Sequence, residues 1–325
     1  MKEKVFSGIQ PSGEIHIGNY LGAIKNWVSL IEQYDCIFCV VDYHAITIKY
    51  DVNIMQKLVW NAILDNISCG IDPLKAKLFI QSHVPEHTEL SWILSSVTSM
   101  GDLERMTQFK DKAKQHKDNI NAGLFTYPVL QTADIILYKA TKVPVGEDQI
   151  QHIELAREIT RNFNYRYGKV FPEPKELISN APRIIGLDGR AKMSKSMNNY
   201  ISLNETYDNL KNKLMTAMTD ENRKRRNDPG NPKVCNIYNY HQFFTLKDKY
   251  NEIGNECRNA SIGCVDCKKI LIEAMWSSIK PIQDKRMMLE TNIKEIKEII
   301  YENGKVCKKI AEQTIKEVKE HMGMN

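Results

Sequence analysis

The chain has 325 residues, of which 42% are hydrophobic and 26% charged, with a formal net charge of +5. That length suits one large and one smaller domain, and the composition is that of a globular chain with a buried core, which excludes a fibrous or disordered protein. The charge permits contact with a polyanion without requiring one, and no apolar run reaches membrane-spanning length.

In chain order, Val5–Gly8, Cys36–Asp42 and Leu78–Gln81 read as buried parallel strands, being continuous, apolar and bounded by polar turns. Asn19–Gln33 and Met55–Cys69, between them, carry apolar residues at helical spacing. Strand alternating with helix predicts an α/β fold with a Rossmann-like, doubly wound parallel sheet, whose ligands sit beyond the carboxyl ends of the strands. Helical patterns continue through Glu86–Ser99, Asp102–Lys117, Phe125–Tyr138 and Asp148–Phe163, and a last strand is expected at Arg183–Gly186. From about Asn204 the sequence turns to Lys-, Glu- and Asn-rich helices, including Tyr207–Ala217, Lys269–Trp276 and Pro281–Tyr301. The expected division is a Rossmann-like catalytic domain over 1–186, a lysine loop over 187–203 and a smaller all-helical domain over 204–325.

Two short segments carry the chemistry. Phe6-Ser-Gly-Ile-Gln-Pro-Ser-Gly-Glu-Ile-His-Ile-Gly-Asn19 is an apolar strand, a glycine loop and a helix beginning near Gly18. Such a loop offers backbone N–H groups and a positive dipole end to phosphate oxygens. Gly186-Leu-Asp-Gly-Arg-Ala-Lys-Met-Ser-Lys-Ser196 is a loop with two lysines, compact charges on flexible stems that can follow phosphates through a transition state. Alone, Lys192 and Lys195 read as surface lysines and His16 as a hydrogen-bonded loop histidine. Together the segments describe a grip on a triphosphate, with Gly18 leaving room for a flat ligand.

Asp134 lies in an otherwise apolar helical stretch, where a carboxylate is costly to bury without a partner. A neighbouring backbone group or arginine would satisfy it, as would a ligand N–H. Among the eight cysteines, Cys264 and Cys267 have the two-residue spacing that lets both sulfurs face one ion, with Cys257 and Cys235 in the same polar window. That pattern points to a metal site, and spacing leaves Zn²⁺ and an iron–sulfur cluster both open. Cys36 and Cys39 share the spacing but lie in a buried strand where side chains three apart face opposite ways, so they read as core.

The segments Phe6–Asn19, Val41–Ala45, Leu103–Lys110, Thr126–Asp134, Val143–Gln149 and the lysine loop, in this order, resemble the bacterial tryptophanyl-tRNA synthetases of class I, nearly end to end. The resemblance implies ATP-dependent ligation of L-tryptophan to tRNA(Trp) through a tryptophanyl-adenylate, in the cytoplasm, by a homodimer with no membrane partner. It implies ATP contacts from Gln10, Pro11, Ser12, His16, Gly18, Asn19, Gly146, Glu147, Asp148, Gln149 and Lys192-Met193-Ser194-Lys195-Ser196, with Mg²⁺ on the phosphates and water. Lys112, Lys192 and Lys195 are the expected catalytic lysines. Asp134 becomes the acceptor for the indole N–H, in a slot lined by Phe6, Gly8, Tyr127, Gln131, Val143 and Val145, with Gln10 at the amino acid's polar end and His44 in the wall. Asp148 also suits a helix N-cap. For Cys235, Cys257, Cys264 and Cys267 the resemblance implies the [4Fe–4S] cluster of one subset of the family, with Zn²⁺ the alternative. Arg223–Arg226 reads either as a tRNA phosphate contact or as a solvated charged loop. A tyrosine-specific enzyme of the same fold and a non-catalytic RNA-binding paralogue are the competing expectations.

Overall fold

The computed structural model describes residues 2–11, 13–115, 120–178, 184–195 and 197–324, without the side chains of Lys112 and Gln115. Two compact units emerge, and both are discontinuous: the first holds 1–13, 23–181 and 292–325, the second 14–22 and 182–291.

The first unit is built on a parallel sheet ordered β3-β2-β1-β4-β5, from β1 (Lys4–Ile9), β2 (Asp35–Val40), β3 (Lys77–Ile80), β4 (Lys142–Val145) and β5 (Lys175–Ile178). The helices joining the strands are α1 (Lys25–Leu30), α2 (Met55–Ser68), α3 (Glu86–Ser95), α4 (Ala122–Ile136) and α5 (Ile150–Tyr167). In β1 and β2, Phe6 pairs with Ile37 and Gly8 with Cys39. Strand alternation therefore puts Phe6, Ile37, Cys39 and, on β3, Phe79 on one face. That face shares a core with Leu90 of α3, Ala133 and Ile136 of α4 and Phe163 of α5. The other face carries Phe38, against which Trp27 of α1 stacks at 5.4 Å. Cys36 and Cys39 do face opposite ways, and both are buried.

Most of the expected strands and helices recur with shifted ends, but the helix expected over Pro281–Tyr301 is divided between one ending at Thr291 and another starting at Ile293. The pattern read as one helix over 102–117 breaks at Met106, whose extended backbone separates Met100–Arg105 from Thr107–Gln115. β5 was not legible: Lys-Glu-Leu-Ile is a half-exposed edge strand with no apolar run. The strand expected at Arg183–Gly186 is instead one antiparallel bridge, Ile185 to Lys192, with Arg183 outside the described residues. The chain turns there because Asp188 Oδ1 accepts from the N–H groups of Arg190 and Ala191 and Gly189 takes a φ of +68°.

The second unit contains α6 (Tyr207–Thr216), α7 (Asn236–Phe244), α8 (Lys247–Arg258) and α9 (Cys264–Thr291), the last packing on α6 and α7. Glu14–Gly22 belongs with these helices because Ile17 N–H donates to Ile201 O (3.0 Å) and Leu203 N–H to Ile15 O (3.0 Å). The contiguous division at 186 and 204 thus differs from the packing at both ends. The final helix α10 (Ile293–Met322) buries Cys307, Ala311, Ile315 and Val318 in the core of the first unit, one stripe at helical spacing. Ile315 and Val318 each contribute roughly 1.5–3 kcal/mol by burial and the smaller Ala311 about 0.8, which together favour holding the helix there. No helix among the described residues is long and apolar enough to cross a membrane.

Candidate active site

In the second unit, His16 is the N-cap of a short helix, Ile17–Asn19. Its Nδ1 accepts from Asn19 N–H (3.3 Å), while Asn19 Oδ1 accepts from His16 N–H (3.2 Å). This reciprocal box consumes the Asn19 N–H and side-chain carbonyl, leaving the Asn19 Nδ2 as donor. With Nδ1 accepting, the His16 proton sits on Nε2. Burial, then Lys195, then Lys192 lower the His16 pKa to about 4, so the ring is neutral at pH 7. The two motifs, remote in sequence, therefore share one electrostatic environment. Gly18 has a reason that the sequence reading did not contain: a Cβ there would lie 2.9 Å from the His16 ring and 3.4 Å from Met193 Cβ.

The lysine loop is held from its own far end. Buried Asn199 accepts from Ser194 N–H (2.8 Å) and donates to Asp188 Oδ2 (2.9 Å) and Lys192 O (3.3 Å). Lys195 is half-buried, and burial lowers its pKa against the opposing pull of Glu14. Lys192 is exposed and Met193 buried. Ser12, Ser196 and the Lys112 side chain lie outside the described residues.

In the first unit, Asp134 of α4 is 1% exposed. Its partners are neither backbone groups nor an arginine. Oδ2 accepts from His44 Nε2 (2.7 Å), and Oδ1 accepts from His87 Nδ1 (2.7 Å) and Gln81 Nε2 (2.6 Å). Burial alone would raise its pKa; the two imidazoles win and hold the carboxyl well below the usual carboxylate range. Gln81 is itself fixed, accepting from Tyr43 N–H (3.0 Å). His87 and Gln81 escaped the sequence reading. The available signal was a polar residue at the head of the stripe His87, Leu90, Leu94, all three buried on α3.

Of the expected slot residues, Phe6 stacks on Tyr138 (5.7 Å between centroids), His44 lies edge-on to Tyr127 (6.4 Å), and Gly8 sits where a Cβ would be 2.8 Å from Val41 Cγ1. Tyr127 bonds His152 Nε2 (2.8 Å), and burial pushes its hydroxyl up to about 12. Val143 is buried; Val145 and Gln131 are half-buried, and Gln10 is exposed beside buried Pro11. The exposed Gly146-Glu147-Asp148 leads into the α5 helix through a 3₁₀ turn over Glu147–Gln149. Asp148 does not cap α5, whose N-cap is Gln149; its carboxylate instead accepts from Gln108 Nε2 (3.3 Å) and Gln149 Nε2 (3.2 Å).

Burial, and behind it the neighbouring thiols of this group, raise the pKa of Cys235, Cys257 and Cys267 in the second unit. Burial, then Cys235, Cys257 and Cys264, push the Cys267 thiol up to about 12. Among the described residues no three His, Cys, Asp or Glu side chains form a group able to hold a metal ion, so the expected ligand cage is not present as such. The thiols engage other groups: Arg223 Nη1 donates to Cys257 Sγ (3.8 Å), and His241 Nε2 lies 3.4 Å from Cys267 Sγ. The arginine loop is also committed internally. Arg223 donates to Arg226 O (2.7 Å) and Ile262 O (2.8 Å), and Arg226 to Ala260 O (3.3 Å), which leaves Lys224 and Arg225 as that loop's remaining cations.

Comparison with known proteins identifies the family and the fold. Residues 2–278 match the family described as tRNA synthetases class I (W and Y). A tryptophan–tRNA ligase of Deinococcus radiodurans is 46% identical, covering 98% of both chains, and one of Thermotoga maritima is 42% identical over 99% of both. The solved tryptophanyl-tRNA synthetase of Campylobacter jejuni, complexed with ADP and tryptophan, superposes with a TM-score of 0.90 at 35% identity, covering 98% of this chain and 99% of that one. Matched by the family model over most of its length and by relatives over nearly all of it, the chain belongs to the bacterial tryptophanyl-tRNA synthetases of class I.

Proposed function

We infer that this protein ligates L-tryptophan to tRNA(Trp) at the expense of ATP, in the cytoplasm where tRNA is charged. The observation that carries the reading is the convergence of His16 with Lys192 and Lys195 in one electrostatic environment. A tryptophan carboxylate oxygen attacks the α-phosphorus, the bond to the bridging oxygen breaks, and pyrophosphate leaves. The terminal ribose hydroxyl of the tRNA then takes the acyl group and AMP departs. Neither step needs a covalent enzyme intermediate, so the work is positioning and charge stabilisation.

His16 Nε2–H and Asn19 Nδ2 are the donors for ATP oxygens, with Gly18 keeping the His16 ring in place. Lys192 and Lys195 neutralise the departing pyrophosphate, as does Lys112, and Mg²⁺ rides on the phosphates. Gly146–Gln149 takes the ribose hydroxyls, which suits its exposed carboxylates. The slot of Phe6, Gly8, Tyr127, Gln131, Val143 and Val145 receives the indole, and Asp134 accepts its N–H. Phenylalanine, lacking that donor, leaves a desolvated carboxylate short of a partner, a difference on the order of a few kcal/mol.

The test is ATP–pyrophosphate exchange dependent on the amino acid. Tryptophan supports exchange and tyrosine does not; exchange with tyrosine alone would overturn the assignment, and a dead exchange with intact tRNA binding would make the chain a binding paralogue.

For the four cysteines the proposal is a [4Fe–4S] cluster, with Zn²⁺ the alternative. A soft four-sulfur donor set supports it, as does the closeness of the other three thiols to Cys267, whose pKa they raise after burial. When bound, the group would brace the helical region, and no step of the ligation runs through it. Anaerobic purification followed by iron and zinc analysis decides between them, and absence of both metals refutes the site. A homodimer is the proposed assembly, tested by light scattering.

A further inference from the structure

Of the three donors to Asp134, His87 alone has its second polar atom engaged by another side chain, with its Nε2 2.7 Å from Tyr138 Oη. The ring is wholly buried and stacked on Phe79 at 5.9 Å, with an interplanar angle of 27°. A carboxylate only accepts, so His87 Nδ1 carries the proton toward Asp134; in the neutral ring Nε2 then takes the Tyr138 O–H. The result is a directed chain of hydrogen bonds, Tyr138 to His87 to Asp134. Gln81 supports the same oxygen and His44 the other one.

We propose that His87, aligned by Tyr138, is a positioning residue that fixes the orientation and the ionised state of the Asp134 carboxylate, and through it the preference for an amino acid whose ring bears an N–H. The proposal rests on the reading of Asp134 as the indole acceptor. A carboxylate pinned at both oxygens presents only lone pairs, in one plane. With the His87 donor gone, Oδ1 is held by Gln81 alone, and the carboxylate can tilt or take up a proton; a protonated carboxyl no longer distinguishes a ring with a donor from one without.

The substitutions His87→Asn and His87→Gln separate the two ends of the imidazole. The asparagine amide nitrogen stands near the position of Nδ1 and keeps the donor to Asp134. The glutamine amide nitrogen stands near Nε2 and reaches Tyr138 instead. Pyrophosphate exchange is measured with tryptophan and with its benzothiophene analogue, in which sulfur replaces the N–H. His87→Gln is expected to raise KM for tryptophan and narrow the preference over the analogue, each roughly 10- to 100-fold, with KM for ATP unchanged. His87→Asn retains most of the preference. Equal behaviour of the two variants overturns the proposal, as does a wild-type preference in His87→Gln. Asp134→Asn tells the two failures apart: if it too retains the preference, the reading of Asp134 is what fails; if it loses the preference while His87→Gln does not, only the role of His87 falls.

Discussion

Replacing Asn199 by alanine removes the side chain that ties the lysine loop together. Asn199 is 4% exposed and bonds Ser194 N–H, Lys192 O and the Asp188 carboxylate. A bond between neutral groups is worth about 1 kcal/mol net and one to a carboxylate about 2, so the three together contribute roughly 4 kcal/mol to the ordered loop. Water entering beside alanine recovers part of this. The remainder, about 2–3 kcal/mol, corresponds to a fall in kcat/KM for ATP of the order of 100-fold, because the role proposed for Lys195 needs it in place when pyrophosphate departs. The loop opens locally, so the melting temperature should move by only a few degrees. Asn199→Asp is expected to be worse than alanine, since it keeps the bond to Ser194 but sets a second carboxylate against Asp188, whose Oδ2 is 2.9 Å from the present Nδ2. Pyrophosphate exchange at saturating tryptophan with ATP varied, beside a thermal melt, measures both effects. An alanine variant within about threefold of wild type in kcat/KM for ATP, or an aspartate variant more active than alanine, would refute the reasoning.

Acid should weaken the second unit through His16. Its folded pKa, about 4, lies below the ordinary 6.5, so the unfolded chain takes the proton first and stability falls as pH drops from 6.5 toward 4, by up to roughly 3 kcal/mol. The urea midpoint of His16→Asn should lose less over that window than wild type, and identical pH profiles would contradict the assignment. Gly8→Ala puts a Cβ 2.8 Å from Val41 Cγ1, so the melting temperature should drop by the equivalent of about 1–3 kcal/mol and KM for tryptophan should rise; an unchanged melt argues that β1 yields freely. Gly230→Ala sets a Cβ 2.5 Å from Cys257 Sγ. It should lower the urea midpoint with exchange activity retained, and an unaltered midpoint would show that the cysteine loop adjusts without cost.

The candidate site was proposed from features that are local in sequence. His16 and Gly18 stand together in one loop and Lys192 and Lys195 in another, and a carboxylate in the apolar run of Asp134 announces that something must satisfy it. What satisfies it was not legible. His44, Gln81 and His87 come from three separate segments, after β2, after β3 and at the start of α3, and only the parallel register of the strands brings them to one carboxylate. The arginine loop shows the same limit: a run of cations looks identical in sequence whether it faces a polyanion or, as Arg223 and Arg226 do, binds the carbonyls of its neighbours.

The amino-acid sequence by itself determined the parallel α/β core, the helical character of the last third and the residue types of the glycine loop and the lysine loop. Those properties reside in hydrophobic period and in residue type over a few positions, and the chain carries them wherever it folds. Only the tertiary structure decided that α10 returns to the first unit, that Glu14–Gly22 joins the second, and that the four cysteines share a region without forming a ready cage. Each of these is a question of which surfaces meet across long stretches of chain. The answer depends on burial summed over whole elements, such as the Cys307-to-Val318 stripe, and on backbone pairing such as Ile17 with Ile201, and neither quantity exists until the chain has folded.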